Sequence, residues 1–96
     1  MPAYLVSIVN VKNPERYMNY AKAANEAAAK LGGKFLLRGM PLEVLEGIAS
    51  GNRVVVSEWE SADKARAYYH SPEYAKAKAK RQNGVAEAAI LLFEGV

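Results

Sequence analysis

The chain has no cysteine and a single histidine among its 96 residues. Without cysteine it lacks the disulfide framework that holds many small secreted domains together. One histidine and no thiol argue strongly against a zinc site, and no metal site is expected. No uninterrupted apolar run is longer than a few residues, so no transmembrane helix and no membrane partner are expected. The opening Met1-Pro2-Ala3-Tyr4-Leu5-Val6 has no basic segment ahead of an apolar stretch, so no secretory signal is expected. A cytoplasmic location is the default expectation. Neither charge sign dominates: 13 Lys and Arg against 10 Asp and Glu leave +3, which favours solubility and gives little ground for a nucleic-acid partner. The one basic run, Lys76, Lys78, Lys80 and Arg81 with only Glu73 nearby, reads as a solvated helix face. There is no repeat, linker or low-complexity tract beyond the Ala-Lys alternation at 75–80, and residues 1–96 are expected to form one small domain.

What is present is apolar. Half of the chain (51%) is hydrophobic, too much for disorder. Seventeen of these residues are alanine, the strongest helix former and a poor source of buried area. The larger ones cluster in short runs rich in Val, Leu and Ile, so the composition divides between helices and strands.

Ala3 to Val11 reads as a strand. Asn13-Pro14 then supplies an N-cap and a first-turn proline, which predict a helix to about Leu31. On it Tyr17, Tyr20, Ala21, Ala24, Ala27, Ala28 and Leu31 share one face. Gly32-Gly33 ends the helix. Lys34 to Gly39 reads as a second strand, Leu42 to Glu46 as a further short extended piece, and Gly47 to Asn52 as a loop. Arg53 to Trp59 is a strong strand. Ser61 caps a helix to about His70 that buries Ala62, Ala65, Tyr68 and Tyr69. Ser71-Pro72 starts another to about Asn83, ended by Gly84. Glu87 to Glu94 is the last strand. This order predicts an α+β chain of the ferredoxin-like split βαβ type: a four-stranded antiparallel sheet, order 4-1-3-2, with the helices on one face.

Alternation along each strand separates the faces of the sheet. Tyr4, Val6 and Ile8 oppose Leu5, Val9 and Val11. Phe35 and Leu37 oppose Leu36, Val54 and Val56 oppose Val55 and Trp59, and Ala89, Leu91 and Phe93 oppose Ile90 and Leu92. Both faces are apolar, and helices on one side cover only one of them. The other predicts a homodimer packed sheet to sheet through the open face.

Three stretches carry a family resemblance. One is Glu58-Trp59-Glu60-Ser61 running through Ala65-Arg66-Ala67-Tyr68-Tyr69-His70-Ser71-Pro72-Glu73-Tyr74 to Arg81. The second holds Gly32-Gly33-Lys34-Phe35, Leu36-Leu37-Arg38-Gly39 and Val44-Leu45-Glu46-Gly47. The third is Leu92-Phe93-Glu94-Gly95. Together they resemble the DUF1330 family, a domain of unknown function, over essentially the whole chain. Tyr69-x-Ser71-Pro72-Glu73-Tyr74 with Arg81 is the most specific part. The resemblance implies a dimeric α+β barrel and no established general activity. The wider superfamily includes cofactor-free monooxygenases, haem-degrading enzymes and small-molecule isomerases, and fold analogy transfers none of these chemistries. Two departures bear on pocket shape: Tyr68-Tyr69 stands where the family usually has Trp-Tyr, and Ile48 to Asn52 lacks the prolines often found there.

Arg81 lies seven residues after Tyr74, almost two helical turns, so Tyr74, Ala77 and Arg81 form one inward stripe, with Lys78 about 40° away. A buried arginine needs a carboxylate or carbonyls. It is either an anion clamp for a substrate carboxylate or a structural partner of Glu46, Glu58 or Glu94. Arg38, sharing its strand face with Leu36 and followed by a glycine, is either a pocket residue or an interface salt bridge. His70 suits acid–base work by its ordinary pKa, yet it sits where a helix ends and a cation is favoured anyway. Ser71 reads as a helix cap rather than a nucleophile, and no phosphate-cradling loop occurs. Trp59, Tyr69 and Tyr74 either line a cleft between helices and sheet or simply pack the core. The Arg53–Trp59 strand lacks the aromatic pattern of RNA-binding sheets.

Two functions are compatible with these residues. One is a homodimer binding a small anionic or aromatic metabolite in a helix–sheet cleft, with or without a cofactor-independent reaction; no cofactor is expected. Arg38, Glu46, Trp59, Tyr69, Tyr74 and Arg81 are its pocket candidates, and His70 its only catalytic candidate. The other is a non-catalytic structural or stress-accessory protein, in which both arginines are fully paired.

Overall fold

The computed structural model describes residues 1–47 and 52–95. The chain runs β1 (Ala3–Val11), α1 (Pro14–Leu31), β2 (Lys34–Gly39), β3 (Arg53–Trp59), α2 (Ala62–Tyr69), α3 (Pro72–Arg81) and β4 (Ala86–Glu94). Each helix begins on a local signal. The Asn13 side chain accepts from the Arg16 N–H ahead of Pro14, and Ser61 accepts from the Lys64 N–H. Ser71 accepts from the Tyr74 N–H at 3.0 Å and donates to the Tyr68 carbonyl at 2.7 Å, so one hydroxyl ends α2 and starts α3. At the end of α1, Gly32 turns left-handed (φ 97°) and Gly33 N–H reaches back to the Ala28 carbonyl. Helix α3 stops at Arg81, two residues short of the expected Asn83, because Asn83 itself is left-handed (φ 61°) alongside Gly84 (φ 81°).

The four strands form one sheet in the order β2-β3-β1-β4, every neighbouring pair antiparallel. This is the expected 4-1-3-2 order: two interlocked split βαβ units with β1 and β3 central. Residues 42–46 are a correction. They join no ladder and are exposed throughout. Past Gly39 (φ 137°) the chain leaves the sheet, and an extended segment without a paired edge is not a strand. Of the loop expected over Gly47 to Asn52, residues 48–51 lie outside the described ones.

The second correction concerns β2. Its register with β3 shifts between Phe35 and Leu37. Such a bulge adds one residue to one strand and resets the alternation beyond it. Arg38 therefore pairs beside Val55 and shares the helix-covered face with Phe35 rather than with Leu36, its guanidinium 4.9 Å from the Phe35 ring centre.

The core lies between that face and the helices. Leu5, Val9 and Trp59 of the sheet pack with Tyr17, Tyr20, Ala24 and Ala28 of α1, Ala65 and Tyr68 of α2, and Tyr74 and Ala77 of α3. The alanines let α1 and α3 lie close, and the aromatic rings supply the buried area. Trp59 stacks on Tyr68 (centres 4.7 Å apart), and Tyr68 meets Tyr74 at 4.9 Å. Gly33 makes room for this column: a Cβ there would come within 2.5 Å of the Trp59 ring. Among the described residues no helix lies over the opposite face. Ile8, Leu37, Leu91 and Phe93 stand exposed there, with Val6, Val54 and Val56 half-buried among them.

Candidate functional site

A cleft of about 70 Å³ opens between α1, the α2–α3 junction and the helix-covered face of the sheet. Its floor is mostly apolar, from Leu5, Val9, Val55 and Ile90 with Ser7 and Ser57 among them, and its walls are tyrosine: Tyr17 and Tyr20 from α1, Tyr68, Tyr69 and Tyr74 from the α2–α3 side. Among the described residues, the charged side chains lining it are Arg38 and Arg53. That volume suits a group of a few heavy atoms rather than a drug-sized molecule.

The helical stripes that build the core also build these walls. Tyr17 and Tyr20 lie one turn apart on α1, with ring centres 5.4 Å apart. The Tyr20 and Tyr74 hydroxyls meet at 2.9 Å, either one donating, and tie α1 to α3. The Tyr68 hydroxyl donates to the Ala24 carbonyl at 3.4 Å. Burial pushes the Tyr20 phenol well above its ordinary range, and the neighbouring Tyr74 adds to the effect. Tyr68 is raised for the same two reasons. Burial also raises Tyr17, although the Arg53 guanidinium pulls it back. Tyr17, Tyr20 and Tyr68 are therefore neutral near physiological pH. None of them is a base there; Tyr17 and whichever of Tyr20 and Tyr74 accepts in their mutual bond keep a proton to donate, while that of Tyr68 is held by the Ala24 carbonyl.

The candidates from the sequence separate in space. Arg38, Tyr69 and Tyr74 line the cleft. Tyr74 is buried; Tyr69 is half-buried and accepts a 3.2 Å hydrogen bond from Lys78 Nζ. Arg81 sits behind the wall at the end of α3, its guanidinium 5.6 Å from the Tyr20 ring centre. Burial works against its charge, and the Tyr74 and Tyr20 hydroxyls outweigh that, so its pKa is raised. Among the described residues no carboxylate pairs with Arg38, Arg53 or Arg81. Trp59 lies outside the cleft lining, fully buried, its indole N–H donating to Ser57 Oγ at 2.9 Å. Glu46 is exposed on the segment after β2. His70 is exposed at the end of α2, beside a shallow groove between α2 and β4 that it shares with Arg66 and Tyr69. Among the described residues no three metal-ligating side chains come together.

Arg53, Tyr17 and Tyr20 join the site only in three dimensions; the sequence alone does not mark them as pocket residues. Arg53 begins β3 and shares the parity of Val55, Ser57 and Trp59, which puts it on the helix-covered face opposite Val9. That parity is the one signal the sequence offers for it. Its guanidinium lies 5.8 Å from the Tyr17 ring centre. Arg53 Nε and Arg81 Nε are both buried and have no hydrogen-bond partner among the described residues.

Comparison with known proteins adds family and fold. The family model described as domain of unknown function (DUF1330) matches residues 2–96. No curated protein matches the chain in sequence. Among solved structures, a protein of unknown function from Rhodopseudomonas palustris superposes with a TM-score of 0.80 at 20% identity, covering 99% of this chain and 82% of that one. SnoaB, a cofactor-independent oxygenase from Streptomyces nogalater, superposes at 0.73 with 14% identity, over 99% of this chain and 93% of its own. A dimeric ferredoxin-like protein of unknown function from Jannaschia sp. CCS1 superposes at 0.70 with 16% identity, over 95% and 98%. At these identities the likeness is one of fold.

Proposed function

The chain belongs to the DUF1330 family, and from that premise we propose that it is a homodimer that binds a small anionic or aromatic metabolite in the cleft between helices and sheet. The observation that carries this reading is the pair of guanidiniums, Arg38 and Arg53, opening onto an aromatic cleft that no carboxylate lines among the described residues. Arg38 is exposed, but Arg53 is half-buried with its Nε buried and unpartnered among the described residues, which is costly in a purely structural role. The alternative, a non-catalytic structural or stress-accessory protein, calls for carboxylates on Arg38 and Arg81, and among the described residues neither has one. Any reaction at this site would draw on hydrogen-bond donation and positive charge, the two resources the walls offer. The fold shared with a cofactor-independent oxygenase leaves room for such chemistry without specifying it.

The test is thermal unfolding in the presence of small carboxylates, aromatic acids and neutral aromatics. A ligand at a hundred times its Kd adds about 2.7 kcal/mol to the stability of the folded state, a shift of several degrees in a domain of this size. If no compound of any class raises the transition, the binding reading is wrong.

A further inference from the structure

The cleft's chemistry identifies the ligand more narrowly than its position does. Two of its boundaries are unlike. The floor is mostly hydrocarbon, from Leu5, Val9, Val55 and Ile90, with Ser7 and Ser57 among them. The Arg53 corner is polar: its guanidinium lies beside Tyr17, and the linked Tyr20 and Tyr74 hydroxyls belong to the same wall. Arg81 backs that wall, with its charge against Tyr20 and Tyr74. The buried Nε of Arg53, which lines the cleft, lacks a partner among the described residues, and a bound oxyanion would supply the acceptor such a donor requires. The flat, forked guanidinium matches the two oxygens of a carboxylate. A phosphate or sulfate would bring additional charged oxygens into a lining that is mostly hydrocarbon and offers beside Arg53 only a few hydroxyls. The cleft's volume of about 70 Å³ restricts the carboxylate's substituent to a short chain.

Resting on the reading that the cleft holds a ligand, we propose that this ligand is a short-chain monocarboxylate. Its carboxylate sits between Arg53 and the Tyr17–Tyr20–Tyr74 wall, its hydrocarbon part lies on the sheet floor, and Arg81 is a positioning residue acting through Tyr20 and Tyr74. Tyr17 and the accepting member of the Tyr20–Tyr74 pair donate to the carboxylate, and the second cleft arginine, Arg38, adds long-range attraction from the β2 side.

The experiment is calorimetric titration of the full chain at constant ionic strength with propionate, propionamide, inorganic phosphate and sulfate. Amide resonances of the cleft report where each one binds. Propionate is expected to bind at least about tenfold more tightly than its neutral isostere. Arg53→Gln should weaken propionate by a similar factor, and Arg53→Lys, which keeps the charge without the fork, should retain part of the affinity. Arg81→Gln should lower the ratio of propionate to propionamide affinity, and Arg81→Lys should restore it; damage to packing alone would weaken both ligands and leave the ratio unchanged. The proposal is overturned if propionamide binds as well as propionate, if phosphate or sulfate displaces propionate at lower concentration than propionate itself requires, or if folded Arg53→Gln and Arg53→Lys variants both bind like the wild type. Neutral aromatics binding where carboxylates do not would overturn this inference and leave the cleft a binding site. Silence from every compound would overturn both.

Discussion

At the scale of single residues, the tyrosines decide how the cleft behaves. Tyr20 is the clearest case, because its hydroxyl closes the link to Tyr74 and its ring stands before Arg81. In Tyr20→Phe the buried Tyr74 hydroxyl loses that partner, which should cost about 1–2 kcal/mol at neutral pH. The alkaline side should show the opposite trend. Burial raises the folded-state pKa of Tyr20 above the ordinary value of 10.0. Its contribution is therefore complete below pH 10 and is lost as pH rises further, because the unfolded chain ionises there while the folded one resists. Removing the phenol removes that loss, so the stability of Tyr20→Phe should fall less steeply above pH 10 than that of the wild type. Denaturant unfolding at a series of alkaline pH values, followed by tyrosinate absorbance, measures both slopes. Parallel slopes would mean that Tyr20 is not among the groups responsible. Arg53 and Arg81 show how far such a site can be read from sequence. The side of the sheet that Arg53 occupies follows from strand parity with Val55 and Trp59. What Arg81 meets does not follow from its position on α3, since its tyrosine neighbours depend on how α1 and α3 pack.

Elements whose ends are set by neighbouring residues are legible in the sequence. Asn13-Pro14, Ser71-Pro72 and Gly32 begin or end helices through contacts within a few residues of themselves. Elements that depend on a distant partner are not. Leu42 to Glu46 has the composition of a strand and no ladder to join. The shift at Phe35–Leu37 arises from pairing with β3, so simple alternation puts Arg38 on the wrong face. The Ser71 hinge offers a quantitative check on the local signals. Ser61 caps α2 through one exposed bond, whereas Ser71 makes two buried ones, to the Tyr74 N–H and to the Tyr68 carbonyl. Ser61→Ala should cost about 1 kcal/mol, as an ordinary cap does. Ser71→Ala should cost about 2 kcal/mol, the upper end for a cap, since it removes two buried hydrogen bonds, although the Tyr68 carbonyl keeps the one from the Ser71 N–H. It should also loosen the cleft, because Tyr68 and Tyr74 flank the hinge. Chemical denaturation of the two variants side by side tests this, and equal losses would mean that the hinge is no more than a cap.

The whole molecule is a thin slab. Its extents are 32 × 32 × 16 Å, and its radius of gyration, 13.3 Å, exceeds the roughly 12.5 Å of a compact chain of this length. One layer of helices on one sheet has this shape, and it leaves a broad face uncovered. The ladder register places Leu91, Val6, Val56 and Leu37 in one row across all four strands at the middle of that face. An apolar row of this kind at the centre of a sheet is rarely left to water. The slab's footprint, about 1,000 Å², exceeds the roughly 800 Å² per partner that a standard interface buries. A second copy is thus the simplest cover, which also accounts for the large apolar fraction of so small a chain. Light scattering should find the wild type dimeric at micromolar concentration. Val6→Glu, which would bury two carboxylates near a two-fold axis, should make it monomeric. Met18→Glu, on the outer side of α1 where Met18 is 67% exposed, should leave the dimer intact. A monomeric wild type would remove the dimer altogether. A dimer that survives Val6→Glu would move the interface away from the sheet, and the apolar row would then need a different partner.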